Sequence, residues 1–166
     1  WIPFGDVSFE LDELCGIHIS SNTAWRIARN VGQRIKDERA AREKVVLSGT
    51  EKASSLSPER LYIGIDGVHV PMQDGKWHEA KTGIVYQTQE QAGKTKIINA
   101  KYMATLERTA AFCDSVYALA FDCGVENARD IACLGDGAIW IWKGFTEHYP
   151  NAIQILDCYH AFEHAD

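Results

Sequence analysis

Two aspartates in this sequence sit where a carboxylate is costly. Asp66 lies in "YIGIDG" and Asp136 in "ACLGDG", each at the end of an apolar, strand-like run and each followed by glycine. An ionised carboxylate beside a buried strand is unfavourable unless it is paired or binds a cation. On strands lying side by side, the two could jointly hold a divalent ion, and oxygen ligands with open water positions suit Mg²⁺ or Mn²⁺. Two metals held so would activate a water or a 3′-hydroxyl and stabilise the leaving oxygen of a phosphodiester. The competing expectation is that each Asp-Gly is simply a turn, the commonest use of that dipeptide.

Other groups cluster near these in the sequence. Asp157 closes the apolar run "NAIQILD" and could approach Asp136; His160 follows in "DCYH". Both are read as structural groups in support of the two aspartates, His160 by a hydrogen bond near the site or a DNA contact, with direct metal binding, by Asp157 more than by His160, as the alternative. His160 and His164 have the i, i+4 spacing of a helical zinc pair but lack cysteines at a suitable distance. Trp140 and Trp142 are about 200° apart on a helix, so they cannot share one face. Trp142 is assigned to the core with Ile139, while Trp140 either stacks on an unpaired base or packs against a neighbouring element. Lys76 and Lys81, near Trp77 and His78, are read as phosphate contacts or as solvated lysines of a sheet edge.

These residues need elements to position them. From Phe9 to Ile35 the apolar spacing is helical, broken at Gly16 and restarted after Ser20 or Ser21, which can cap a second helix. Helix, glycine turn, cap and second helix form a helix-turn-helix pattern, which would present Ser21, Asn22, Thr23, Arg26 and Arg29 to DNA. The alternative is an ordinary helical hairpin that caps a domain or makes a dimer. From Val31 to about Ala53 a charged helix with a weak apolar stripe runs into "SGTEKASSLSPE", the best domain boundary in the chain. The expected division is a helical region over 1–53 and a second domain over 54–166.

Beyond that boundary the pattern turns to strands: "RLYIGIDGVHVPM", interrupted by Asp66-Gly67, then "WHEAKTGIVYQTQ" and "KTKIINAKYMATL". Helical spacing through Phe112, Val116 and Leu119 follows, then a short buried strand "DIACLGD". A helix containing Ile139, Trp142 and Phe145 comes next, then the strand "NAIQILD" and the start of another helix. Three strands in succession followed by alternating helices predict a mixed sheet with helices on its faces, the order of an RNase H-like fold.

Bulk properties narrow the class. The 166 residues are 46% apolar and 24% charged, ordinary for a globular domain with a real core. No apolar run approaches the roughly 18 residues of a membrane span. The five scattered cysteines form no C-x-x-C pair, which favours reduced thiols in a cytoplasmic setting. Residues 1–65 hold nine Lys/Arg against nine Asp/Glu, and residues 66–166 hold eight against fourteen, so the net charge of −6 resides entirely in the second part. Seven basic residues fall between Ala24 and Lys44, and such local clusters set the field that a phosphate backbone feels. The chain opens on Trp1 and stops within a helix-like "CYHAFEHAD", so it is expected to be a fragment.

The block G-D-G-A-x-W-I-W followed by P-x-A-x-x-I-L-D-x-Y-H, with "YIGIDGVHVPM…WHEAKTGIVY" upstream, resembles ISKra-type insertion-sequence transposases. These are DDE enzymes related to Mutator-like elements, and the resemblance runs from about Arg60 to the end. It implies an RNase H-like catalytic domain, with Asp66 and Asp136 as the first two catalytic acids and as ligands of two Mg²⁺ or Mn²⁺ ions. It also implies double-stranded DNA partners (element ends and target), a homo-oligomer, and a prokaryotic, nucleoid-associated setting. The third acidic residue of such a triad has no match before Asp166 and is expected beyond it. Glu163, in "HAFEH", belongs to a different part of the family pattern.

Overall fold

The computed structural model describes residues 3–72 and 74–157. By packing, the chain forms two compact units, residues 1–42 and 43–166.

In the first unit, α1 (Phe4–Cys15) ends where the sequence says it must. Gly16 adopts a left-handed φ of 62°, and its amide and that of Ile17 return to the Asp12 and Leu11 carbonyls at 2.9 and 3.1 Å. This is the glycine-dependent closure of a helix C-terminus. The next helix, α2 (Ser21–Leu47), is capped by Ser20, whose Oγ accepts the Thr23 amide at 3.1 Å. The two helical segments expected over Ser20–Ile35 and from Val31 onward are one helix of 27 residues, about 40 Å long. It stops at Ser48-Gly49, where Gly49 has a φ of 67°.

The second unit is built on a five-stranded sheet in the order β3-β2-β1-β4-β5. The strands are β1 (Arg60–Pro71), β2 (Trp77–Gln91), β3 (Lys94–Thr105), β4 (Asp130–Gly135) and β5 (Ile153–Leu156). The first three form an antiparallel meander, while β4 and β5 run parallel to β1. Parallel neighbours need crossover connections, and these are α3 (Thr109–Asp122), with a short 3₁₀ turn at Val125–Asn127, and α4 (Ile139–His148). The result is a mixed sheet flanked by helices, compatible with the expected RNase H-like fold.

Both crossover helices cover one face of the sheet. Leu61, Ile63 and Ile65 of β1, Val85 of β2 and Cys133 of β4 meet Phe112 and Val116 of α3 and Ile141 and Phe145 of α4 in one buried core. Val46 packs with Ala118 and Phe121 in a smaller cluster, so the last turn of α2 belongs with the sheet unit.

The buried ridge of α4 differs from the expected one. Ile141, Gly144 and Phe145 face the core, Ile139 is 87% exposed, and both tryptophans are half-buried against it. Glycine explains the difference, because a Cβ on Gly144 would lie 2.6 Å from Cys113 Sγ. The helix approaches α3 through a residue with no apolar side chain to count.

Candidate active site

Strand register brings the two aspartates level. Alternate residues of a strand face opposite sides, so with Leu61, Ile63 and Ile65 in the core, Tyr62, Gly64 and Asp66 point to the sheet face away from α3 and α4. In β4, Cys133 is in the core and a Cβ on Gly135 would touch Ile141 at 2.6 Å. Leu134, and Asp136 two residues later, therefore follow the same side as Asp66. The β1–β4 register pairs Gly64 with Leu134; counted two residues further along each chain, Asp66 in β1 falls opposite Asp136, the first residue after β4.

Asp157 joins this row. Leu134 is paired with Ile155, and the Asp157 amide donates to the Gly135 carbonyl at 2.8 Å, so Asp157 extends the β5 ladder to the height of Asp136. The row runs from Asp66 within β1 to Asp136 and Asp157, each the residue just after the carboxyl end of its strand, β4 or β5. Among the described residues, no group of three or more His, Cys, Asp or Glu side chains is gathered closely enough to hold a metal ion. The acidic centre is thus the Asp66–Asp136 pair, with Asp157 beside it. His160, His164 and Glu163 lie outside the described residues.

Each aspartate is half-buried and held locally. Asp66 Oδ1 accepts the Gly67 amide at 2.8 Å, and the Thr82 hydroxyl donates to the Asp66 carbonyl at 3.3 Å. Asp66-Gly67 is not a turn: Asp66 pairs with Thr82 and Gly67 with Lys81, and β1 continues to Pro71. Asp136-Gly137 is a bend between β4 and α4. There Gly137 takes a φ of 99° and Asp136 Oδ1 accepts the Ala138 amide at 2.8 Å, just before the amino end of α4. Two hard carboxylates, one within β1 and one just after β4, are donors of the kind that suits Mg²⁺ or Mn²⁺.

Lys81 is neither a solvated lysine nor a phosphate contact. It is 6% exposed, and its Nζ pairs with Glu79 Oε2 at 2.8 Å and lies 5.9 Å from the Trp140 ring centre. Trp140 also meets Phe112 edge-on at 6.1 Å, so packing against neighbours, one of its two expected roles, is the one observed. Sequence reading missed this buried pair, although Lys81 shares its strand parity with Gly83 and Val85, both buried.

The proposed DNA-contact residues all lie on the first turns of α2, in the other unit. Ser21, Asn22, Arg26 and Arg29 are exposed, while Thr23 is half-buried. The Thr23 hydroxyl is engaged with Ser20 Oγ at 2.9 Å, and the Arg29 guanidinium lies 5.3 Å over the Trp25 ring. The four described cysteines are free thiols, three of them buried. Burial pushes the Cys133 thiol up to about 12, so it stays protonated and is a core side chain rather than a nucleophile. A cavity of about 450 Å³, lined by Tyr117, Glu126, Arg129 and His148 among others, opens at the amino-terminal end of β4 and β5, away from the aspartates. Among the described residues no helix is long and apolar enough to cross a membrane.

A mixed five-stranded sheet of this order, with Asp66 in β1 opposite Asp136 just after β4, is that of an α/β protein. The chain belongs to the uncharacterised protein family UPF0236, which it matches over residues 4–164. It is similar to UPF0236 protein TTE2489 of Caldanaerobacter subterraneus subsp. tengcongensis, with 26% identity over 149 residues, 88% of this chain and 29% of the relative. A second UPF0236 protein of that organism, whose name joins eleven designations from TTE0033 to TTE2212, is 26% identical over 152 residues, 90% of this chain and 30% of the relative. The chain thus spans under a third of the length of these curated relatives.

Proposed function

We propose that the protein is a DNA transposase of the DDE type, cutting DNA strands and joining 3′-ends to target DNA in a metal-dependent reaction. The observation that carries this reading is the register: two residues beyond the Gly64–Leu134 pair, Asp66 within β1 falls opposite Asp136 just after the parallel β4. Their carboxylates would hold the cations, each kept in place by a backbone amide on one oxygen. When bound, a pair of Mg²⁺ or Mn²⁺ ions supplies an activated water or 3′-hydroxyl and charge stabilisation at the leaving oxygen. Asp157, level with Asp136, serves as a neighbouring hydrogen-bonding group, and the third acid of the triad comes from beyond Asp166.

Two further observations support the reading. The exposed Ser21, Asn22, Arg26 and Arg29, with the basic stretch of α2 behind them, suit the phosphates of duplex DNA at the element ends. One relative carries eleven designations in a single organism, the multiplicity that a self-copying DNA element leaves. The reading includes a homo-oligomer that joins two element ends, in a prokaryotic, nucleoid-associated setting.

The test uses the intact protein and DNA bearing the element ends. Asp66→Ala and Asp136→Ala are each expected to abolish strand cleavage while DNA binding in a gel-shift assay survives. Wild-type cleavage by either variant would overturn the assignment and leave a DNA-binding or assembly module as the better description.

A further inference from the structure

An ion pair between a buried lysine and a half-buried glutamate lies on the sheet face opposite the aspartates, and its position ties together the elements that carry them. Lys81 is the charged side chain that is buried among the described residues, and its partner Glu79 is itself only 32% exposed. Both stand on β2, on the face covered by α3 and α4. Glu79 Oε1 occupies the space above Gly67: a Cβ there would lie 2.7 Å from that oxygen and 3.4 Å from Trp140 Cζ2. Gly67 follows Asp66 directly and pairs with Lys81 across the ladder. Trp140 stands four residues after Asp136, in the first turn of α4, with the Lys81 ammonium 5.9 Å from its ring centre. One charged pair thus touches the backbone behind Asp66 and the helix that follows Asp136.

Stability alone gives little reason for such a pair. Buried ions lose hydration that their mutual attraction only partly restores, and well-packed apolar side chains of similar volume commonly do as well or better. An ion pair does impose a direction and a distance that apolar packing does not, and a cation over an indole face adds a second fixed distance.

We propose that Lys81 and Glu79, with Trp140, are positioning residues that set the separation of Asp66 from Asp136. This rests on the reading of those two aspartates as the cation site. The contacts act through the Gly67 backbone on one side and through the first turn of α4 on the other, and neither charged group reaches the open face where the aspartates lie. The glycine after Asp66 leaves room for this arrangement, since a Cβ there would have to displace the end of the Glu79 side chain.

The experiment measures Mn²⁺ binding to this chain by electron paramagnetic resonance of the free ion, beside thermal melting of each variant. Lys81→Met combined with Glu79→Gln removes both charges while keeping the packing on Trp140. The double variant is expected to melt at or above the wild-type temperature yet bind Mn²⁺ at least tenfold more weakly. Lys81→Arg, which keeps the cation over the indole, is expected to retain affinity to within a few-fold. A pair with a merely structural role would shift melting and leave the affinity of the folded protein unchanged; that result overturns the proposal. If wild type itself shows no Mn²⁺ binding that Asp66→Asn and Asp136→Asn abolish, the cation site fails and the positioning role falls with it. The Asn controls keep the two failures distinguishable.

Discussion

The same dipeptide, Asp-Gly, occurs at both halves of the candidate site and does two different structural jobs. Asp66-Gly67 lies within a continuous strand, paired on β2 residue for residue. Asp136-Gly137 leaves the sheet through a bend, with a left-handed glycine and an aspartate that accepts the amide of Ala138, the residue just before α4. Turn chemistry accounts for the backbone at the second dipeptide but not at the first, where Asp66 Oδ1 accepts the Gly67 amide inside a continuous strand.

Substitutions can break or sharpen this contrast. The largest expected effect is at Gly137: an alanine would have to adopt a φ near 99°, with its Cβ 3.3 Å from Leu156 Cδ1. Gly137→Ala should lower stability by about 1–2 kcal/mol in urea unfolding. A loss below a few tenths would mean that the bend relaxes and is not a fixed feature. A smaller effect separates the two aspartates. Asp136→Ala removes the acceptor for the Ala138 amide at the start of α4, a cap-like contact of about 1 kcal/mol. Asp66→Ala removes a carboxylate that caps no helix; its Oδ1 accepts the next residue's amide within a continuous strand. Measured without added metal, Asp136→Ala should be the less stable variant by about 1 kcal/mol. Equal stabilities, or the reverse order, would erase the distinction between a structural turn and a strand-borne ligand.

Much of this was legible in the residues, and the parts that were not share a cause. Gly16 and Ser20 announced the end of α1 and the start of α2 because each satisfies backbone groups that a helix terminus leaves open. The strand and helix succession from Arg60 onward followed from apolar periodicity, which also placed Asp136 at the end of β4, whereas Asp66, expected at a strand end, lies inside β1. Periodicity failed where contact is made by something other than an apolar side chain. Gly144 sits at the α3–α4 approach, so the buried ridge of α4 was assigned through Ile139 instead of Ile141. Lys81 is buried by an ion pair and an indole, which a charge in a half-polar strand does not advertise. The level row of Asp66, Asp136 and Asp157 needed the strand register, and register is a property of pairs of strands that neither strand contains alone.

The central claim is that Asp66 and Asp136 together hold a divalent cation, and a crystal of this chain grown with Mn²⁺ tests it most directly. The anomalous difference map at the manganese edge should show a peak within ligand distance, about 2.0–2.3 Å, of a carboxylate oxygen from each aspartate. It should be absent in a crystal of Asp66→Asn grown the same way. A well-occupied manganese elsewhere on the molecule, with the two aspartates bare, would contradict the account.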